Sequence, residues 1–167
     1  PLLTLDYSNK FWNPIKADSY NLTMSIIEGA RGLGKTTGLL IKGTKNFFKT
    51  GEQFVYIRRY KNELRQFRAK QTLNSIFNGY LYGGDGSGGN VYKIQDEVVG
   101  YGIPLSIEGE YKSSTFDKVT LIIFDESILL RGSTIRYLDK EIESFWELIG
   151  TIVRLRKNYR IFLLGNN

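Results

Sequence analysis

Cysteine and histidine are both absent from the 167 residues. The two absences exclude disulfides, thiolate nucleophiles, zinc sites built on Cys or His, and imidazole acid–base catalysis. Any chemistry must therefore run on carboxylates, lysines, arginines, hydroxyls and bound ions. Long apolar runs are missing as well: nothing approaches the ~20 residues of a membrane-spanning helix. The N-terminus has no basic-then-apolar leader pattern, and no internal repeat is visible. The expectation is a soluble, cytoplasmic protein without a membrane partner.

What is present suits one domain covering 1–167. Hydrophobic residues make up 41% and aromatic residues 14% of the chain, enough for a core at this size. The formal net charge of +6 favours a polyanionic partner such as nucleic acid, although a merely basic surface would give the same figure.

Periodicity outlines alternating strands and helices. Met24 to Ile27 reads as a short buried strand, and Gly38 to Phe48 as a helix through Leu39, Leu40, Phe47 and Phe48 that Gly51 ends. Gln53 to Ile57 is a second strand. Lys61 to Phe77 places Leu64, Phe67, Leu73 and Phe77 on one side of a charged helix. Gly83 to Gly89 (GGDGSGG) has the composition of a hairpin loop or linker; with no lysine and no helix behind it, it does not read as a phosphate loop.

Val91 to Leu105 reads as two strands around Gln95 to Glu97, with Pro104 at an edge or exit. Val119 to Phe124 (VTLIIF) is apolar enough for a central parallel strand covered on both faces. Leu138, Ile142, Phe145, Ile149 and Ile152 are spaced as one helix face, and Arg160 to Leu164 is a last strand. The pattern predicts an α/β fold: a mostly parallel central sheet flanked by helices, with a β-hairpin insertion.

The segment Gly29-Ala30-Arg31-Gly32-Leu33-Gly34-Lys35-Thr36-Thr37 is a full phosphate-loop (Walker A) match, with a strand before it and a helix after it. Such glycines let backbone N–H groups close around phosphate oxygens. Lys35 would reach the β and γ phosphates of ATP, and Thr36 would ligate Mg²⁺. Asp125, at the tip of LIIFDE, would hold the metal, and Glu126 would polarise the attacking water, the Walker B arrangement. The adjacent acids therefore argue for ATP hydrolysis.

Arg31, Arg58, Arg59, Lys61, Arg154, Arg156, Lys157 and Arg160 are the cations to place around a γ phosphate; about half are expected to be solvated bystanders. Asn166 is either a reporter of the γ phosphate or a turn former. Helical geometry, if the helix continues past Ile152, turns Arg154 outward and Arg156 back toward its own subunit. Lys112, in YKSS, is read as an unpaired lysine that could hold a DNA phosphate.

These residues resemble a family: the DNA packaging (encapsidation) ATPases of small tailed bacteriophages, related to large terminases. The resemblance runs nearly end to end, through IEGARGLGKTT, GEQFVYIRRYKNEL, GYGIPLS before YKSS, TLIIFDE and TIVRLRKNYRIFLLGN. It implies a P-loop ATPase of the additional-strand, catalytic-glutamate type. It further implies that Arg31 contacts phosphates in cis, that Asn166 couples hydrolysis to movement, and that Arg154 is donated to a neighbouring subunit. Arg58 and Lys61 fall in what resembles a subunit-interface or nucleotide-exchange segment.

The family also implies a five-membered homomeric ring on a phage portal and procapsid, with a structural RNA in some members, threading double-stranded DNA in the cytoplasm of an infected bacterium. Family members continue into a C-terminal nuclease-like domain, so the chain reads as an isolated ATPase domain. Two rival readings remain: a nucleotide switch or small-molecule kinase sharing the phosphate loop, and a nucleic-acid-binding module with a vestigial loop.

Overall fold

The computed structural model describes residues 12–65 and 89–166. Its organising element is the apolar run found in the sequence, which lies within the longest strand, β5 (Val119–Ile128). Side chains alternate across a strand. Leu121 and Ile123 accordingly enter one core layer, while Ile122 and Phe124 enter the other.

Around β5 lie β1 (Met24–Gly29), β2 (Gln53–Arg58), β3 (Asn90–Ile94), β4 (Glu97–Pro104) and β6 (Arg160–Asn166), in the order β1-β6-β5-β2-β4-β3. Every pairing is parallel except β3 with β4. Those two form the expected hairpin, turning at Gln95 and Asp96, both at positive φ as a two-residue hairpin turn of the I′ type requires. Pro104 is the last residue of β4, at the expected exit.

Helices cover both faces. α1 (Pro14–Ser19) is short, with Asn13 as N-cap. α2 (Lys35–Thr50) packs Leu39 and Leu40 on the layer of Leu121 and Ile123, and Gly51 closes it at φ 75°. α3 (Lys61–Arg65) follows β2. On the other face lie a 3₁₀ segment (Leu105–Tyr111) and α4 (Glu141–Val153). The remainder of the helix expected to Phe77, and the glycine run up to residue 88, fall outside the described residues.

Two expectations change. β1 is an edge strand rather than a buried one: it pairs only with β6 among the described residues, and Ile26 is 59% exposed. Edge position removes a neighbour, and no helix among the described residues covers the face carrying Met24 and Ile26. α4 begins at Glu141, after Leu138, so its buried stripe is Phe145, Leu148, Ile149 and Ile152, and Ile142 is 72% exposed. Phe145, Ile149 and Ile152 are buried as the spacing predicts; Leu138 lies before the helix and Ile142, in its first turn, faces outward.

Candidate functional site

Parallel strands joined through helices bring their C-terminal tips to one edge of the sheet, where open α/β sheets form their crevices. There β1 runs into the loop Ala30–Gly34, and β2, β5 and β6 end beside it. The resulting open cleft, about 230 Å³, is lined by Arg31 to Thr37, Tyr56, Arg58, Asp125, Glu126 and Asn166.

The loop's shape follows from its glycines. Gly32 and Gly34 have φ of 82° and 76°, which an L side chain adopts only with strain. Gly34 is the N-cap of α2 and offers no side-chain acceptor, so the first N–H groups of the helix face the cleft without a capping side chain. Trp12 braces the loop by donating its backbone N–H to Leu33 O at 2.8 Å.

Lys35 is 7% exposed, and its ammonium donates to Gly29 O at 2.6 Å, Ala30 O at 3.0 Å and Asn166 Oδ1 at 3.3 Å. Burial lowers its pKa, and the Asp125 carboxylate opposes that shift. Its three partners are two loop carbonyls and a neutral amide, so a multiply charged anion would compete for it effectively.

Asp125 joins loop to sheet. Its Oδ2 accepts from Thr36 Oγ1 at 3.0 Å and Tyr56 Oη at 2.8 Å, and lies 3.3 Å from Arg58 Nη1. Burial pushes the Tyr56 phenol well up, with the Asp125 charge adding to it, so Tyr56 is a permanent donor near neutrality.

Glu126 turns out of the strand at φ 53°. Its carboxylate is held by Arg31 Nη2 at 3.3 Å and Arg58 Nη2 at 2.9 Å. Arg58 also meets Glu63 Oε1 at 2.7 Å. Burial works against the Arg58 cation; the Tyr56 hydroxyl and the carboxylates of Asp125, Glu126 and Glu63 outweigh it, and the net shift of its pKa is upward.

The cleft thus gathers Arg31–Thr37, Asp125, Glu126 and Asn166, while Gly29, paired with Asn166 across β1 and β6, and Ala30 do not line it and meet it only through their carbonyls on Lys35. It also contains Arg58, one of the cations weighed for the γ phosphate, whose segment was expected to serve DNA, a subunit interface or nucleotide exchange. For direct contact with DNA or a neighbouring subunit this is a correction: Arg58 is 8% exposed among three carboxylates, because it lies at the tip of β2 next to β5. Lys61, just beyond, stays at the surface, 3.7 Å from Glu110.

Lys112 is also corrected: it is not unpaired but meets Glu147 of α4 at 3.1 Å, with both side chains more than half exposed. Arg154 lies outside the helix that was to orient it, because α4 ends at Val153. It is the C-cap, at φ 49°, exposed, and donates to Ser114 O at 3.2 Å. Arg156 turns inward and donates to Val119 O, Phe116 O and Ile152 O at 2.6, 2.9 and 2.7 Å. Neither arginine lines the cleft of its own chain.

The sequence reading missed Tyr56 and Glu63. The signal for Tyr56 was a hydroxyl inside an otherwise apolar strand; for Glu63 it was an acid five residues after an arginine at a strand tip. No group of three or more Asp or Glu residues suited to a metal occurs among the described residues. No described helix is long and apolar enough to cross a membrane.

Fold and cleft together define a mixed α/β domain with a six-stranded, mostly parallel sheet and its polar site at the strand tips. The chain belongs to the Podovirus DNA encapsidation protein (Gp16) family, whose profile matches residues 5–167. It is 32% identical to the DNA packaging protein of Bacillus phage phi29 over 156 residues, covering 93% of this chain and 46% of that protein. Against the DNA packaging protein of Bacillus phage B103 it is 35% identical over 148 residues, covering 89% and 45%. The chain therefore spans just under half the length of these relatives.

Among solved structures, the N-terminal domain of the DNA packaging ATPase from bacteriophage phi29 superposes with a TM-score of 0.78 at 32% identity, over 93% of this chain and 78% of that one. The large terminase of the thermophilic bacteriophage D6E, at 12% identity, shares the fold with a TM-score of 0.57, over 87% of this chain and 34% of that one.

Proposed function

We propose that this chain is the ATPase domain of a viral double-stranded DNA packaging motor, a P-loop fold of the additional-strand, catalytic-glutamate type. The observation carrying this reading is the 3.0 Å contact between Thr36 Oγ1 and Asp125 Oδ2, which joins the glycine-rich loop to the acid-bearing strand inside one cleft. A hydroxyl and a carboxylate are hard oxygen donors, the type that suits Mg²⁺ with its retained waters. Thr36 and Asp125 would hold the ion, which when bound neutralises phosphate charge.

The loop N–H groups and Lys35 bind the triphosphate, Lys35 exchanging its carbonyl partners for β and γ oxygens. Glu126 takes a proton from water as the water oxygen attacks the γ phosphorus and the bond to the β–γ bridging oxygen breaks, giving ADP and phosphate. For that, Glu126 must first give up at least one of its two guanidinium partners. Asn166, beside Lys35, is suited to sense the γ phosphate, and Arg31 to contact phosphate in cis. Exposed Arg154 supplies the trans cation to a neighbour in a homomeric ring, five-membered by family, at the portal of a procapsid in the infected cell. A structural RNA is a further candidate partner. Lys61 belongs to the subunit boundary, and Lys112 reaches a DNA phosphate by leaving Glu147.

The test is ATP hydrolysis with Mg²⁺ or with chelator, across protein concentrations, with and without duplex DNA. Turnover that needs Mg²⁺ and rises in specific activity with concentration is expected. A folded protein that binds duplex DNA but neither binds nor hydrolyses ATP would overturn the reading in favour of a nucleic-acid-binding module.

A further inference from the structure

Beyond Phe124, β5 loses its ladder. Pairing with β2 ends at Ile57↔Phe124, and against β6 the register jumps from Phe124↔Leu163 to Ile128↔Gly165. Three residues of β5, Asp125 to Ser127, stand opposite one residue of β6, Leu164, and bulge out. The bulge aims Asp125 and Glu126 into the cleft and puts Glu126, not a glycine, at φ 53°. Such a conformation costs ~1 kcal/mol or more and persists only if neighbours hold it. Its carbonyls also need donors, since buried backbone acceptors are nearly always paired.

Arg59 supplies both requirements. It is fully buried, and its guanidinium donates through Nη1 to Glu126 O at 2.8 Å and through Nη2 to Ser127 O at 3.0 Å. Its Nε and Nη2 form a fork to the Glu141 carboxylate, at 2.6 Å each. Its faces are covered by Phe124 and Tyr137, whose ring centres lie 5.4 and 4.8 Å from Cζ. Glu141, in the first turn of α4, is itself fixed by the Leu138 N–H at 2.9 Å. The Arg59 backbone is tied down by Ser106 N donating to Arg59 O at 2.9 Å.

We propose that Arg59 and Glu141 are a positioning pair that sets the direction of the Glu126 carboxylate by clamping its backbone. The two arginines, Arg58 ending β2 and Arg59 just past it, divide the task. Arg58 engages the Glu126 side chain and Arg59 its main chain, because consecutive residues at a strand end face opposite sides. From the other side, Glu126 N donates to Asp125 Oδ1 at 3.0 Å, so the bulge is held on both flanks. A buried ion pair is weak as a general stabiliser. Here its free donors go to the two carbonyls left by the bulge, which ties the pair to the geometry of Glu126.

The proposal rests on Glu126 as the residue that activates water. The test measures kcat, KM and nucleotide affinity with Mg²⁺-ATP for Arg59→Lys and Glu141→Gln, each alone and combined with Glu126→Gln, after thermal melting confirms folding. Each single variant is expected to lower kcat by ~10-fold or more with affinity within about threefold, as small misplacement of a reacting group does. In the Glu126→Gln background neither should lower the residual single-turnover rate further. Losses that multiply in the double variants, or a folded Glu141→Gln with the parent kcat, overturn the positioning pair. If Arg59→Lys does not fold, Glu141→Gln, which keeps the shape of the fork, decides alone. A parent that binds ATP without hydrolysing it removes the reading of Glu126 and the proposal with it. A hydrolysing parent with multiplicative variants removes the proposal alone.

Discussion

Arg58 Nη2 sits 2.9 Å from Glu126 Oε2 and 2.7 Å from Glu63 Oε1, so one buried guanidinium bridges an acid of the cleft and an acid of α3. With Asp125 only 3.3 Å from its Nη1, Arg58 touches three carboxylates and offsets part of their charge. Arg58→Ala would leave them facing one another with little solvent. A loss of about 3 kcal/mol is expected, as for other broken buried pairs. Denaturant midpoints of Arg58→Ala and Glu63→Gln measure it; a midpoint at the parent value for Arg58→Ala would mean that solvent already screens these charges.

Glu126→Gln keeps the size of the side chain but cannot accept a proton from water. Thr36, Asp125 and Lys35, which would hold the ion and phosphates, are untouched. Nucleotide affinity near the parent value is expected, with turnover lower by at least ~100-fold, the usual contribution of a general base. Fluorescent-nucleotide titration and single-turnover hydrolysis separate the two, and a parallel loss of both would remove the division of roles.

Arg154 is exposed at the end of α4 and lines no part of its own cleft. Arg154→Ala should bind ATP nearly normally and hydrolyse it poorly, since a trans arginine contributes ~10³- to 10⁵-fold in rate. Mixing it with Glu126→Gln subunits should restore activity, because an intact site on one can meet an intact arginine on the other. Mixed assemblies that stay inactive would transfer the role elsewhere. Arg156, committed to three carbonyls of its own chain, is a poor replacement.

Phe54 lies between two glycines. A Cβ built on Gly43 of α2, or on Gly100 of β4, would come 2.8 Å from its ring. Alanine at either position should cost ~1–3 kcal/mol through overpacking. The Gly43→Ala penalty should shrink in a Phe54→Leu background, and thermal melts of the three variants check this. Equal penalties in both backgrounds would place the strain elsewhere in α2.

Local signals sufficed for the six strands, for α2 and α4, and for the acids and loop of the cleft, but not for α1 or the 3₁₀ segment, which went unread. A glycine-rich turn between strand and helix, a six-residue apolar run ending in Asp-Glu, and a Gly at a helix end each depend on near neighbours in the chain, so Gly34, Asp125, Glu126 and Gly51 were legible as one-dimensional pattern. The same holds for the hairpin around Gln95 and Asp96.

Strand order and register are non-local, and they decided the rest. Only the order β6-β5-β2 sets the tip of β2 beside that of β5, which puts Arg58 in the cleft among three carboxylates and buries Arg59 under the bulge. Placing β1 at the edge exposed a strand whose composition read as buried. Ending α4 at Val153 replaced a helical angle at Arg154 with a cap at positive φ. In each case the outcome depended on which element lies alongside, and pairing energy between segments distant in the chain leaves no periodic trace in either one.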